Sequence, residues 1–266
     1  MGTISTGGAV LHYRLDGADG DRLVLLHEIG GSLETWSAVA PKLAPPFAVL
    51  SYDQRGAGRS DRIAGEFSIE TQVDDLRALI ERLGTPPCHL AGVAIGAAIA
   101  VRLAAHHPKL VQSLVLACPA PGVSAERVHY LDERARQVER EGMVATVDSS
   151  LANSYPAEIR RDPHTFAAYR ARFLANDANS YAAINRAFAK FDATPDLSVI
   201  RCPTLVLAGK HDRLRPPDFV RGVAAAIPGA RYAEIDSGHI MPVQAPAEMA
   251  AAMTAFYESL KAAKSP

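Results

Sequence analysis

Three stretches of this chain carry residue types that do chemistry on carbonyl carbons. The first is Cys88-His89-Leu90-Ala91-Gly92-Val93-Ala94-Ile95-Gly96-Ala97-Ala98, an apolar strand, a tight turn between two glycines and the start of an alanine-rich helix. A turn of this type, G-x-S-x-G, holds a serine hydroxyl on a strained corner at the edge of a sheet. Here the central position is Ala94, and a methyl group cannot attack anything. The other two stretches are the loops holding Asp212 and His239, a carboxylate and an imidazole. Such groups hold and pass protons near neutral pH. Taken alone, Asp212 reads equally as a turn-former ahead of Pro216-Pro217, and His239 as a packed histidine. Both follow strand-like runs, and parallel sheets collect their functional groups in such loops.

Strands and helices must alternate to put those three loops together. Residues 9–16 alternate weakly and meet Asp16-Gly17, a hairpin-type turn. Leu23–Leu26, Phe47–Tyr52, Ser113–Cys118 and Thr204–Gly209 are continuous apolar runs, as in strands covered on both faces. Ser32 is placed to cap a helix carrying Leu33, Trp36, Val39 and Leu43. Ile69, Val73, Leu76, Ile80 and Leu83 step by four and three along a second helix, which Gly84 and the following prolines end. A helix from about Asp218 to Ile227, a strand at Arg231–Ile235 and a helix from Pro246 close the chain. The class is α/β, a parallel sheet with helices on both faces. Residues 123–195 break the rhythm with an all-helical insertion, so 1–122 and 196–266 read as one core domain and 123–195 as a cap.

The order of elbow, acid and histidine resembles that of the α/β-hydrolases over nearly the whole length. Tyr52-Asp53-Gln54-Arg55-Gly56-Ala57-Gly58-Arg59-Ser60, Cys202–Asp212 and Ile227–Tyr232 are similar to the 3-oxoadipate enol-lactonase group. That resemblance implies the α/β-hydrolase fold and ester or lactone hydrolysis. It makes His239 the general base and Asp212 the holder of its tautomer. It puts the oxyanion hole at the backbone N–H groups of Ile95 and Ile29. Glu28 departs from the His-Gly usual at that second loop and would reshape the pocket wall. Arg55 and Asp53 are expected to brace their own loop. A dinucleotide-binding loop is the rival reading of the glycine turn, but G-x-G-x-x-G is absent and the turn follows the fourth strand-like segment. The only Tyr-x-x-x-Lys, which a short-chain dehydrogenase-like protein needs, is Tyr257 to Lys261 near the end of the chain.

Ala94 has three readings. It stands for an engineered replacement of serine that leaves the chain inactive. Alternatively, the protein is a serine-free hydrolase, resembling aminoacrylate-hydrolase-like proteins with an alanine elbow, in which His239 activates water. The third reading is a non-catalytic binding module. Glu28, Trp36, Tyr130 and Arg186 are candidate substrate contacts, and the arginines of residues 123–195 suggest a carboxylated ligand. A net charge of −1 gives no reason to expect nucleic acid or a membrane as partner. The expected partner is a small-molecule substrate, with the chain a monomer or homodimer. Three separated cysteines and a first segment unlike a signal peptide suggest a cytoplasmic protein with free thiols. His27-Glu28 lacks the second histidine of H-E-x-x-H, so no metal and no cofactor is expected.

Overall fold

The alternating runs assemble into an eight-stranded sheet in a computed structural model that describes residues 1–17, 19–83 and 87–262. The strands are β1 (Gly2–Ser5), β2 (Val10–Asp16), β3 (Asp21–Leu26), β4 (Phe47–Tyr52), β5 (Cys88–Val93), β6 (Val111–Ala117), β7 (Thr204–Gly209) and β8 (Arg231–Ile235). The helices are α1 (Ala40–Leu43), α2 (Ile69–Arg82), α3 (Ile95–His106), α4 (Ala125–Glu141), α5 (Val144–Ser154), α6 (Pro163–Leu174), α7 (Ala178–Ala189), α8 (Pro217–Ala225), α9 (Met241–Gln244) and α10 (Pro246–Ala262). Their spatial order is β1-β2-β4-β3-β5-β6-β7-β8, antiparallel as far as β4 and parallel beyond it.

Side chains alternate across this sheet because successive Cβ atoms of a strand point to opposite faces. Leu23 and Leu25 of β3 join Val115 and Ala117 of β6 in one apolar cluster, with Leu43 of α1 and Met249 of α10. Val24, Leu26, Leu114 and Leu116 join another with Leu76 of α2, Ala98 of α3 and Val220 of α8. Each leucine buried this fully stabilises the fold by about 1.5–3 kcal/mol.

Two local expectations need correction. Asp16-Gly17 makes no hairpin, because β2 pairs with β1 and β4 while β3 is flanked by β4 and β5. The chain therefore crosses β4 between β2 and β3. The first strand, β1, was too short and polar to read. The helix expected after Ser32 is a 3-10 turn at Leu33–Trp36 followed by α1. Pro41 divides the run, since it has no N–H to donate to the turn before it and sits instead in the first turn of α1, where no such donor is needed. The expected stop of α2 at Gly84 lies outside the described residues.

Helix α3 lies against the sheet and is almost wholly buried. Its small residues permit that approach. A Cβ at Gly96 would stand 2.6 Å from the Leu26 carbonyl oxygen and 2.7 Å from that of His27. Gly96→Ala is therefore expected to lower stability by about 2–4 kcal/mol, read as an earlier midpoint in a urea melt. Between β6 and β7, helices α4–α7 build a third cluster around Val147, Leu151, Tyr155, Tyr169 and Phe173, which packs on Ile240 and Val243. Among the described residues, no helix is long and apolar enough to cross a membrane.

Candidate active site

The turn between β5 and α3 is a single residue, Ala94, with φ 54° and ψ −114°. That left-handed backbone costs a residue with a Cβ about 1–2 kcal/mol, so its surroundings must hold it there. They do so with two hydrogen bonds: the Ala94 N–H donates to the Ala117 carbonyl at 3.0 Å, and the Ala94 carbonyl accepts from Ala120 N–H at 3.2 Å. Gly92 is required beneath, because a Cβ there would collide with the backbone of Gly96 and Ala97. Ile95 opens α3, so its N–H has no acceptor within the helix.

Asp212 follows β7 and His239 follows β8, and both are buried. The imidazole Nδ1–H donates to Asp212 Oδ2 at 2.8 Å. The proton is thereby placed on Nδ1, leaving Nε2 as the ring's acceptor. The other carboxylate oxygen, Oδ1, accepts from Leu214 N–H at 2.8 Å and Arg215 N–H at 2.9 Å. Burial alone would push Asp212 up, but His239 and these hydrogen bonds more than offset it and hold the carboxyl below its ordinary range. Cys118 lies behind the pair. Its Sγ, a carboxylate oxygen of Asp212 and a ring nitrogen of His239 fall within 4.8 Å of one another, a spacing that could hold a metal. Burial pushes the Cys118 thiol well up, which works against the thiolate a metal would need.

The facing wall is the loop after β3. Gln54 N–H donates to His27 Nε2 at 3.0 Å, so the His27 proton sits on Nδ1, which donates to the Glu28 carbonyl at 2.8 Å. Gln54 Nε2 donates in turn to the His27 carbonyl at 2.7 Å. The loop is also held from above. Tyr169 of α6 donates its hydroxyl to Glu28 Oε1 at 2.7 Å, and Asn176 donates to the Gly30 carbonyl at 2.9 Å. Ile29 stands between those two anchors. Neither Ile29 N–H nor Ile95 N–H has an acceptor among the described residues, and both residues line the same pocket as Ala94 and His239.

That pocket measures about 660 Å³ to its mouth. Its far side carries Arg127 and Arg134 of α4 and, from the Asp212 loop, Arg215. Arg134 donates to Ser150 Oγ at 2.6 Å and to the Tyr181 hydroxyl. Arg215 donates to the Leu214 carbonyl at 2.8 Å. Burial, with Arg127 nearby, brings the Arg215 guanidinium down to about 10. Among the described residues, none of these three arginines lies within ion-pair distance of a carboxylate.

Ala94, Ile95, Ile29, Glu28 and His239 thus share one pocket, with Asp212 directly behind the imidazole. Three other expected contacts lie elsewhere. Trp36 is fully buried in the core cluster around Leu23 and Leu25, where its large apolar ring belongs. Tyr130 is exposed on α4 beneath the guanidinium of Arg127. Arg186 points outward and grips Glu139 and Asp132. Arg215 was not anticipated, although its place three residues after Asp212 on a strand-end loop was a usable signal. Asp53 and Arg55 do brace their loop: Asp53 accepts from Leu33 N–H at 2.7 Å and Arg59 N–H at 2.9 Å, and Arg55 grips Asp75.

Comparison with known proteins agrees with this fold. A family model described as the alpha/beta hydrolase fold matches residues 21–246. A protein named as a candidate carbamate hydrolase, RutD of Azorhizobium caulinodans, is 32% identical over 235 residues, covering 87% of this chain and 88% of its own. An enol-lactonase from Burkholderia xenovorans superposes with a TM-score of 0.91 at 30% identity, covering 97% of this chain and 100% of its own. A thermophilic esterase from Thermogutta terrifontis, solved with malate bound, gives 0.90 at 27% identity, with 97% and 96% covered.

Proposed function

The chain belongs to the alpha/beta hydrolase fold family, and from that footing we propose that it hydrolyses a small carboxylated ester or lactone without forming a covalent intermediate. The observation that carries this reading is the Asp212–His239 hydrogen bond, kept at 2.8 Å beside an elbow that offers no oxygen. His239 Nε2 takes a proton from a water molecule as that water attacks the substrate carbonyl carbon. The carbonyl oxygen gains the negative charge and is received by the N–H groups of Ile29 and Ile95. Asp212 stabilises the imidazolium, which then returns its proton to the departing oxygen as the carbon–oxygen bond breaks. No cofactor enters these steps. Residues 123–195 form the cap over a core of 1–122 and 196–266, and the cap keeps bulk water from the carbon.

The substrate class is supported by Arg127, Arg134 and Arg215, three guanidinium groups lining one pocket, Arg215 being also under the attraction of Asp212. Arg215 is buried and Arg127 and Arg134 are half-buried, and guanidinium groups withdrawn from water in this way are costly until an anion arrives. The esterase solved with malate bound and the enol-lactonase fit this preference, while the candidate carbamate hydrolases extend it to carbonyls flanked by nitrogen. Turnover in ¹⁸O-labelled water tests the route. Label in the acid product of the first turnover excludes attack by a protein carboxylate, and a protein mass unchanged throughout excludes an acyl intermediate; unlabelled first product or an adduct seen by mass spectrometry overturns the route. Arg215→Ala is expected to raise KM for a carboxylated substrate about 10–100-fold and to leave its neutral methyl ester unaffected. Neutral long-chain esters that outperform carboxylated lactones in a substrate panel would overturn the arginine assignment.

A further inference from the structure

A second chamber opens beside the catalytic pocket and shares Glu28, Ile29, Ile95 and Tyr181 with it. It has room for about one water-sized species. Its buried side-chain atoms that lack a partner are all acceptors. Glu28 Oε2, Gln54 Oε1 and Gln72 Oε1 are all buried without a hydrogen-bond partner, on residues no more than 3% exposed that all line the chamber. The amide orientations follow from their other ends: Gln54 Nε2 donates to the His27 carbonyl at 2.7 Å and Gln72 Nε2 to the Arg55 carbonyl at 3.2 Å. The oxygens are therefore the free atoms.

The side-chain nitrogen donors of the wall are already used, and the backbone N–H groups of Ile29 and Ile95 are the free donors on its catalytic side. His27 Nδ1–H serves the Glu28 carbonyl, and Asn176 Nδ2 serves the carbonyls of Gly30, Arg172 and Phe173. No lysine or arginine among the described residues lines the chamber. The Glu28 carboxylate has hydroxyl donors at one oxygen only, from Tyr169 at 2.7 Å and Thr35 at 3.1 Å, and no ion-pair partner among the described residues. A buried carboxylate without a counter-charge is strongly unfavourable, and each unmade acceptor adds to the cost.

We propose that this side chamber is a binding site for one small monovalent cation of ammonium or potassium size, held by Glu28, Gln54 and Gln72. One carboxylate matches one positive charge. Three oxygens with a single charge fall short of the six to eight oxygen ligands that calcium takes. The cation sits behind Ile29 and Ile95, so its occupancy stiffens the wall that carries both free N–H groups. The site stands independently of the hydrolytic reading.

Thermal melts in potassium, ammonium and tetramethylammonium chloride at equal ionic strength test it, the last ion being too large for the chamber. At about ten times the half-saturating concentration, potassium or ammonium should raise the melting point by about 3–5 °C over tetramethylammonium. Glu28→Gln removes the charge and brings its own N–H donors to the chamber, while its remaining carbonyl still accepts from Tyr169 and Thr35. That variant should melt no lower than the parent in tetramethylammonium and lose the cation response. Gln72→Leu should keep a weakened response, with half-saturation several-fold higher. Identical melts of the parent in all three salts, as a bound water or a protonated Glu28 would give, overturn the proposal. So does a response that persists in Glu28→Gln.

Discussion

Ala94→Ser should convert a chain that takes up no fluorophosphonate probe into one that is labelled to completion. The reason is geometric. The backbone at position 94 already has the strained φ of 54° that presents a side chain at the mouth of the turn, and the Ala117 and Ala120 hydrogen bonds hold it there. Serine adds one oxygen to an existing Cβ and asks for no further strain. His239 Nε2, unprotonated because Asp212 holds the proton on Nδ1, stands in the same pocket to receive the hydroxyl proton. Labelling in gel or by intact mass should disappear again in Ala94→Ser/His239→Ala. An Ala94→Ser protein that folds but never labels would mean that the imidazole does not serve position 94, and the assignment of the site would fall.

The other large effect is expected at His239 and Asp212 in the parent chain. His239→Ala should lower turnover by about 10³–10⁴-fold with KM little changed, since on the proposed route the imidazole acts on water and not on substrate binding. Asp212→Asn should come close to that loss, because an amide N–H facing Nδ1 forces the ring proton to Nε2, where a base is needed. The same carboxylate gives a sign for pH. Its folded value lies below the ordinary one, so it contributes stability above that ordinary value, and the contribution fades as pH falls through the folded value. The melting point should therefore drop steeply below about pH 4, and Asp212→Asn should flatten that part of the curve. A profile unchanged by the substitution would contradict the assignment.

Much of the architecture was legible because its strands are buried on both faces. Leu23–Leu26 and Thr204–Gly209 read as strands without knowledge of their neighbours, and the loops after them had to hold Asp212 and the Ile29 wall. Strand β1 was not legible: Gly2–Ser5 alternates half-buried with exposed at the sheet edge and lacks an apolar run. The inward or outward sense of a helix side chain was equally hidden. Arg134 and Arg186 are alike in composition and context, yet one reaches the pocket and the other clasps Glu139, a choice made by how α4 packs on α7. Trp36 misled for a simpler reason. A lone large aromatic near a site loop is more economically placed in the core.

The hydrogen bonds from Tyr169 and Asn176 to either side of Ile29 carry a consequence for timing. Asn176 stands just beyond α6, so an outward swing of α6 would break the Tyr169 tie and strain that of Asn176, loosening the segment that on the proposed route receives the charge of the carbonyl oxygen. On that route, admission of a reactant past a displaced α6 and cleavage of its bond would exclude each other.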